Sequence, residues 1–320
     1  MNPRFRKRLI VLSIILFAMI TFGLISGSVN IPFYQLLLKE NQAIFHLRIF
    51  RILTALVAGS GLAVSGIALQ AILRNSLAEP YLLGTSSGAG LGAIAAIITG
   101  LSAMYLPLAA FLGALLSIFL VYNLARQNNK IPEQSLILSG VIISVAFSAI
   151  IVFFVSISSN EALHGLTWWL WGSLQMYDFK LLSLVALIDI AGIAVIYIFS
   201  QDLNAISIGE EEAIHLGIDV ERVKKIMILV TSLITASLVC ICGIIGFVGL
   251  MVPHMMRLIV GPNHKILIPT ACLAAAIFMI FCDILSRVIL PPFEIPIGVI
   301  TALLGAPTFF FLLKRKLRIR

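Results

Sequence analysis

Residues 52–73, with the sequence ILTALVAGSGLAVSGIALQAIL, contain no charged side chain. An α-helix needs about 20 mostly apolar residues to cross the hydrocarbon core of a bilayer. Ala55, Gly59 and Ala63 recur at every fourth position, and such small residues allow helices in lipid to approach one another closely. The stretch therefore predicts a transmembrane helix that packs tightly against its neighbours.

The composition of the whole chain agrees with this stretch. Of its 320 residues, 60% are hydrophobic and only 11% are charged, and the mean hydropathy is +1.10. Soluble domains carry about 25% charged residues. The charges are too few to cover a water-facing surface, which excludes a soluble enzyme and a disordered protein.

Further apolar runs extend the same pattern. The run 84–101 has glycine or alanine at every fourth position from Gly84 to Gly100, and the short run 247–260 is interrupted by Pro253. A broken helix is tolerated at membrane depth only where protein surrounds it, so 247–260 should lie inside the bundle. The predicted spans are 9–26, 52–73, 84–101, 104–124, 136–157, 181–199, 226–246, 247–260, 266–289 and 297–313. We therefore predict an all-α polytopic membrane protein, a single domain over 1–320, with about ten transmembrane helices.

The distribution of basic residues orients the predicted bundle. Both ends of the chain are basic and lack acids, and ten spans place seventeen of the 22 basic residues on the cytoplasmic side. This bias is the one that the positive-inside rule requires, so both termini are predicted to be cytoplasmic. The net charge of +8 then indicates a membrane surface rather than nucleic acid. The five basic residues left outside are Lys39, Arg48, Arg51, Lys180 and Arg287.

Polar residues within the predicted spans are candidate functional positions. Gly140, Ser144 and Ser148 share one face of the run 136–157, where they either pack helices or line a wet pathway. Asp189 lies in the middle of the run 181–199, where a carboxylate is costly. It is a candidate proton-coupling group; the alternative is a protonated or hydrogen-bonded carboxyl within the bundle.

The segment 200–225 differs from the rest because nine of its 26 residues are charged. Ser207 and Glu210 are predicted to form a capping box, in which the serine caps a helix and the glutamate reaches back. Gly217 is expected to end that helix, and Asp219 to cap the next one. The sequence thus predicts a cytoplasmic two-helix coupling segment that docks to another protein. The residues predicted to couple it to that partner are Ser207, Glu210, Glu211, Glu212, Ile214, Leu216 and Gly217.

The chain lacks the sequence features of an ATPase, a hydrolase or a metal centre. No lysine follows a glycine, so the Walker A loop is absent and any ATP hydrolysis belongs to another chain. Residues 84–88 match the nucleophile pattern of hydrolases, but that pattern works at a strand-to-helix turn. The four cysteines lie in apolar runs without metal-ligand spacing. We predict neither a cofactor nor a metal site.

Several short motifs are distributed along nearly the whole chain. They are Arg48-Ile49-Phe50-Arg51, Gly66 with Gln70 and Arg74-Asn75-Ser76-Leu77-Ala78-Glu79-Pro80, Trp169-Leu170-Trp171-Gly172-Ser173, Gly209-Glu210-Glu211-Glu212-Ala213, Gly246-Phe247-Val248-Gly249-Leu250 with Pro253, His254 and Arg257, and Asp283, Arg287, Glu294 and Pro296-Ile297-Gly298. Jointly they resemble the permease of iron–siderophore, haem and vitamin B12 ATP-binding-cassette importers. Ser76 departs from the proline often found at its position in that family.

The resemblance implies a type II importer of a prokaryotic cytoplasmic membrane, with several partners. Two permease copies form the translocation pathway, two cytoplasmic ATPases dock beneath them, and a solute-binding protein docks outside. It also implies that Arg48, Arg51 and Arg287 receive acidic residues of the binding protein. Arginines are scarce on the predicted outer side, which by itself suggests a partner with carboxylates; the alternative is a plain interfacial anchor.

The resemblance further implies that the fifth span lines the pathway and that the loop before it forms the inner gate. Here that loop contains Pro132, Glu133 and Gln134, where the vitamin B12 permease has small hydroxyl residues. The sequence does not distinguish a ferric siderophore, haem or cobalamin as the ligand. Two other functions stay open, namely an ion-coupled secondary transporter that uses Asp189 and an intramembrane enzyme that uses a serine and His254.

Overall fold

The computed structural model describes residues 3–29, 31–36, 38–128, 130–158, 160–176 and 178–318. Every regular element in these ranges is helical. The α-helices are α1 (Pro3–Ile25), α2 (Phe33–Leu36), α3 (Gln42–Ile72), α4 (Thr85–Ile98), α5 (Leu106–Ala125), α6 (Glu133–Ser156), α7 (Asn160–Leu170), α8 (Phe179–Ile198), α9 (Ser200–Ile208), α10 (Glu210–His215), α11 (Val220–Cys242), α12 (Val248–Val260), α13 (His264–Val288) and α14 (Ile297–Arg318). Short 3₁₀ turns lie at Lys39–Asn41, Pro80–Leu83 and Ala103–Tyr105.

The predicted spans coincide with apolar helices. Among the described residues, seven helices are long and apolar enough to cross a membrane, and three shorter apolar helices accompany them. The shorter ones are Thr85–Ile98, Val248–Val260 and Ile297–Phe311. The all-α membrane fold is therefore confirmed, while the count of ten crossings stays a prediction because three elements fall below full span length.

The stretch 52–73 forms the second half of α3, at the centre of the bundle. Ala55 and Ala63 are fully buried, and a Cβ at Gly59 would lie 2.6 Å from the carbonyl oxygen of Ala275 in α13. A Cβ at Gly66 would overlap the carbonyl of Gly249 in α12. The small residues let α12 and α13 contact the α3 backbone directly, as the spacing predicts.

The small-residue pattern of α4 has a mixed outcome. A Cβ at Gly88 or Gly92 would overlap the backbone of α5 at Gly113 and Ala109, so these two glycines are packing positions. Gly100 instead lies in the turn after α4, with φ +67° and open space around it. Small residues at every fourth position thus identify a helix interface only within the residues that form the helix.

The short helix α12 follows a non-helical segment, residues 243–247, that separates it from α11. Gly243 and Phe247 both have positive φ, at 67° and 68°. Most of α12 is buried, including Pro253. This location confirms that the interrupted run is tolerated because protein surrounds it.

The two ends of the bundle carry different charged groups. Helix α3 passes from Arg48 and Arg51 near one end to Arg74 just beyond its other end. At 1.5 Å per residue, Arg51 and Arg74 are separated by about 35 Å along the helix. We call the end with Arg48, Arg51 and Arg287 the arginine end, and the end with Arg74 and α10 the groove end.

Candidate functional site

At the arginine end, one buried carboxylate joins two arginines. The carboxylate of Asp283 lies 2.8 Å from the guanidinium of Arg51 and 2.8 Å from that of Arg287. Arg51 also pairs with Glu294 at 2.7 Å, and the Gln175 amide donates to the same Glu294 oxygen at 2.6 Å. Burial of these ions is offset by their mutual pairing, so the cluster ties α3, α13 and the segment before α14 together.

The remaining guanidinium donors hold the end of α1. Arg48 donates to the carbonyls of Leu24 and Ile25, each at 2.8 Å. Arg287 donates to the carbonyl of Ser26 at 2.6 Å. The last carbonyls of a helix have no partner within the helix, so these cations satisfy them and favour the negative end of its dipole.

The structure corrects one premise about these three arginines. Arg48, Arg51 and Arg287 are only 4%, 7% and 3% exposed, so none presents a free guanidinium group on the surface. They border a cavity of about 160 Å³ that Gln175 and Glu294 also line. Docking of a binding protein at this cavity stays a prediction, and it requires a carboxylate to enter the cavity.

At the groove end, the two-helix segment forms with a different cap from the predicted one. Ser207 lies inside α9 and its hydroxyl donates to the carbonyl of Leu203 at 2.7 Å. Gly209 is the residue before α10 and has no side chain that could cap it. The predicted capping box at Ser207 and Glu210 is therefore wrong, because α9 continues through Ser207 to Ile208 and Gly209 separates it from α10.

The other end of α10 matches the prediction. Gly217 has φ +81°, and its N–H donates to Ile214 while the N–H of Ile218 donates to Ala213. These two bonds form a Schellman motif. The Asp219 carboxylate accepts from the N–H of Arg222 at 3.0 Å and caps α11, so the turn between the two helices is confirmed.

The coupling segment presents an apolar surface. Ile208, Ile214 and Leu216 are 76%, 60% and 72% exposed. Ala213 of α10 is fully buried against the rest of the chain. One side of α10 thus packs on its own bundle, whereas its large aliphatic side chains point away from it.

The predicted gate loop and the coupling segment line one groove, although they are about 80 residues apart in sequence. The groove has a volume of about 910 Å³. Of the residues predicted for the gate loop, Pro132 precedes α6, whereas Glu133 and Gln134 lie in the first turn of that helix, which begins three residues before the predicted span 136–157. All three line the groove, together with Glu210, Glu211, Glu212 and Ile214 of the coupling segment. The structure therefore brings together two sets of residues that the sequence could only place separately.

Two residues of α11 connect these two sets. The N–H of Ile131 donates to the Glu221 carboxylate at 3.1 Å. The ammonium of Lys224 lies 2.5 Å from the Glu210 carboxylate and 3.5 Å from the carbonyl of Ile131. Burial raises the pKa of Glu210, but its contacts with Lys224 and Glu133 and the charge of Arg74 together outweigh this effect, so the pKa is lowered overall. Glu210 is therefore ionised at neutral pH and available as the partner of Lys224.

Comparison with known proteins identifies the family of the chain. The model of the FecCD transport family matches residues 13–315. The chain belongs to the FecCD transport family. It is accordingly a multi-pass membrane permease of the ATP-binding-cassette importer class.

Two curated relatives of this FecCD permease cover nearly the whole chain. The vitamin B12 import system permease protein BtuC of Klebsiella pneumoniae is 36% identical over 317 residues, covering 98% of this chain and 95% of that protein. The Fe(3+) dicitrate transport system permease protein FecD of Escherichia coli is 34% identical over 298 residues, covering 90% and 92%. The two relatives handle different ligands at nearly equal similarity.

A solved structure has the same fold. It is an inward-facing conformation of a metal-chelate type ABC transporter, 33% identical in sequence, with a TM-score of 0.87 over 97% of this chain and 99% of that one. The fold of this FecCD permease is therefore that of an ABC importer subunit.

The small residues of α6 differ in burial. A Cβ at Gly140 would overlap the carbonyl of Leu82, so Gly140 is a packing position. Ser144 is half-buried, whereas Ser148 is exposed on the surface of the described chain. The lining of a pathway by Ser144 and Ser148 stays a prediction.

The residues of the two alternative functions are engaged in contacts within the bundle. Asp189 of α8 is 2% exposed and accepts from the Ser60 hydroxyl of α3 at 3.2 Å, so it is buried where these two helices meet and does not line the groove. His254 of α12 contacts the ring of Phe309, while the Ser87 hydroxyl donates to Gly84 at the start of α4. No group of three or more metal-ligating side chains occurs among the described residues.

The sequence alone did not reveal which residues hydrogen-bond to the non-helical segment before α12 and to the start of that helix. The carboxylate of Glu79 accepts from the N–H of Phe247 at 2.9 Å, and the Tyr81 hydroxyl accepts from the N–H of Ile245 at 3.2 Å. The Gln70 amide donates to Gly249 at 3.3 Å. Glu79 and Gln70 belong to one motif in the sequence, but only the fold shows that Glu79 satisfies a backbone donor and Gln70 a backbone acceptor beside the interrupted helix.

Proposed function

We propose that this chain is the permease subunit of an ATP-driven importer and pairs with a second copy to form the translocation pathway. The arginine end faces outward and the groove end faces the cytoplasm, where both termini lie. A solute-binding protein delivers a metal chelate (a ferric siderophore, haem or cobalamin) to the arginine end. Two ATP-binding-cassette subunits hydrolyse ATP beneath the groove end.

One observation carries this proposal: the exposed aliphatic side chains at the end of α10 belong to a segment that is bonded, through α11, to the loop before α6. The side chains of Ile214 and Leu216 offer an ATPase a contact surface. At the base of α11, Glu221 and Lys224 bind the loop before α6, and Lys224 also binds α10 through Glu210. A displacement of α10 by an ATPase is thereby transmitted to the residues that precede the pathway helix.

The surroundings of the acidic residues support an ATP-driven rather than an ion-coupled mechanism. A coupling carboxylate must be reached by an ion from at least one side of the membrane. Asp189 is enclosed between α3 and α8, whereas Glu133 and Glu210 to Glu212 line an open groove beside the proposed ATPase surface. These carboxylates therefore lie where an ATPase could dock, and not on a route by which a coupling ion would cross the bundle.

The proposal is tested by transport into proteoliposomes. The purified chain is reconstituted alone, with an ATP-binding-cassette partner, and with that partner and a binding protein. Radiolabelled cobalamin, haem and a ferric siderophore serve as separate probes. We expect uptake of one chelate that requires ATP and both partners, and no ATP hydrolysis by the permease alone. Uptake by the permease alone, driven by a proton or sodium gradient, would overturn the proposal.

A further inference from the structure

A second groove lies between the start of α1 and the end of α12. Its volume is about 370 Å³, and it is separate from the groove that the gate loop and α10 share. It is lined by Lys7, Arg8, Val11, Leu12, Met256, Ile259 and Val260. Two cations and five apolar side chains make up this lining, so the groove is amphipathic.

The cations and the apolar side chains occupy different levels of the groove. Val11 and Leu12 follow Lys7 and Arg8 by one helical turn on the same face of α1. On the other wall, Met256, Ile259 and Val260 belong to the last turns of α12 before Gly261 ends that helix. The positive charges therefore lie at the mouth of the groove, and the apolar walls extend toward the membrane interior.

Among the described residues, neither of these cations has a counter-charge. Lys7 and Arg8 are exposed, and no ion pair among the described residues includes either of them. The first acidic residue of the chain is Glu40, so helix α1 itself cannot supply one. A ligand with negative charge and an apolar chain would complement both parts of the groove.

We infer that the α1–α12 groove binds one anionic diacyl phospholipid of the cytoplasmic leaflet. Lys7 and Arg8 contact the phosphodiester, and one acyl chain lies against Val11, Leu12 and Ile259. Basic pockets between membrane helices are suited to anionic headgroups, because the surface charge of the leaflet and the apolar groove act together. The inference rests on the cytoplasmic orientation in the proposed function, but it needs neither the ATPase nor a transported ligand.

The lipid would complete the packing of α1. In the most apolar window of α1, only 6% of the residues are buried inside the protein. The far end of α1 is held by Arg48 and Arg287, whereas its first turns lie beside the open groove. A bound lipid would thus attach the start of α1 to α12, next to the cytoplasmic face where the ATPases are proposed to dock.

The test is native mass spectrometry of the purified full chain in detergent. Dioleoyl phosphatidylglycerol is compared with dioleoyl phosphatidylcholine at equal concentrations. A basic residue near a membrane surface contributes about a fivefold preference for anionic lipid, so two predict at least about tenfold stronger retention of phosphatidylglycerol. Equal retention of the two lipids would overturn the inference.

Variants with matched charge locate the site. Lys7→Gln together with Arg8→Gln should abolish the preference. Arg6→Gln together with Lys314→Gln removes the same charge from exposed positions outside the groove and should leave it intact. Ile259→Trp fills the apolar wall and should reduce retention of both lipids. If the control pair lowers the preference as much as the groove pair, the binding is diffuse surface attraction and the inference fails.

Two further arms identify the ligand source and separate this inference from the proposed function. An excess of inorganic phosphate should not displace the lipid, because phosphate has no acyl chain; displacement would show an anion site without lipid specificity and would contradict the inference. Size-exclusion profiles of each variant report folding. Failure of transport with intact lipid preference would count against the proposed function alone, and the reverse result against the lipid site alone.

Discussion

The two ends of the bundle use the same kinds of ion pair in different surroundings. At the arginine end, the side chains of Arg51, Asp283 and Arg287 are 8%, 1% and 3% exposed, and Asp283 has two partners. At the groove end, the pair of Arg74 with Glu133 is 42% and 19% exposed and borders an open volume of about 910 Å³. The Arg51–Asp283–Arg287 cluster is enclosed by protein and shares one carboxylate, whereas the Arg74–Glu133 pair is exposed to solvent.

This difference in burial separates a fixed region from a movable one. Breaking a buried pair leaves an uncompensated charge and costs about 3–5 kcal/mol, whereas an exposed pair contributes about 0–1 kcal/mol. An element that changes position in every transport cycle must use bonds of the second kind. We therefore expect the arginine end to hold α1, α3 and α13 in place, whereas the exposed Arg74–Glu133 pair at the groove end should require less free energy to break than the Lys224–Glu210 pair, whose lysine side chain is 4% exposed.

The largest expected effect comes from breaking the enclosed cluster. Asp283→Ala leaves Arg51 and Arg287 without their shared carboxylate, and we expect a loss of about 3–5 kcal/mol in the free energy of unfolding. Glu294→Ala is the matched control, because its side chain is 29% exposed and Arg51 keeps Asp283, so about 1 kcal/mol should be lost.

The measurement is thermal unfolding of the purified variants, monitored by fluorescence-detected size exclusion. A clearly lower midpoint for Asp283→Ala than for Glu294→Ala would support a fixed arginine end. If the two variants unfold at the same temperature, the shared carboxylate does not hold the bundle and the contrast between its two ends is wrong.

A smaller effect on stability, but a specific effect on function, is expected at the groove end. Gly217→Val forces a β-branched residue into a left-handed conformation, at a cost of about 1–2 kcal/mol, with no steric clash because nothing lies within 4 Å. The turn after α10 should distort while the bundle stays folded. We expect the amount transported per ATP hydrolysed to fall at least about fivefold, the lower range of typical coupling energies.

Gly100→Val provides a closely matched control. Gly100 also has positive φ, at 67°, with open space around it, and it follows α4 in a turn with the same two backbone hydrogen bonds. The local strain is therefore similar, but this turn lies away from the coupling segment. Equal losses of coupling in Gly217→Val and Gly100→Val would mean that general destabilisation, not the α10 turn, is responsible.

Features that depend on local sequence were predictable from the sequence. Apolar length identified the helices, and the short range of helix caps made Gly217 and Asp219 reliable signals. Ser207 shows where local reasoning fails: a serine followed three residues later by a glutamate is also compatible with a helix that continues to Ile208. Only the preceding chain, in which α9 follows α8 almost directly, decides between the two.

Features that depend on distant residues were not predictable from the sequence alone. The positive-inside pattern assigns Arg48, Arg51 and Arg287 a side of the membrane but says nothing about their depth in the protein. Asp283, the carboxylate that pairs with Arg51 and Arg287, is 232 positions from Arg51. Likewise, the role of Lys224 as a link between Glu210 and Ile131 appears only when three separate segments pack together.

The smallest expected effect concerns the charge of Glu210. Burial raises its pKa, while the contacts with Lys224 and Glu133 and the charge of Arg74 together lower it more, so the pKa lies below its ordinary value, which is about 4.3 for glutamate. A carboxylate with a lowered pKa contributes its pairing above that value and loses it as the pH falls through the lowered pKa. Between pH 8 and 5.5 the Lys224 pair should therefore remain intact, and coupling should stay constant.

Glu210→Gln isolates this contribution from other acid effects. The Glu210 side chain is 30% exposed, so its charge is partly screened, and a glutamine keeps a carbonyl oxygen that can accept from the Lys224 ammonium, whose side chain is 4% exposed. We therefore expect the variant to reduce transport per ATP by only about twofold to threefold. The ratio between parent and variant should be flat from pH 8 to 5.5, and only below about pH 4 should it approach one. The ratio is measured in proteoliposomes by setting the pH on the side where the ATPase is bound. A change in this ratio with a midpoint between pH 6 and 7 would mean that Glu210 is not held ionised by Lys224, and the proposed link between α10 and the gate loop would lose its central contact.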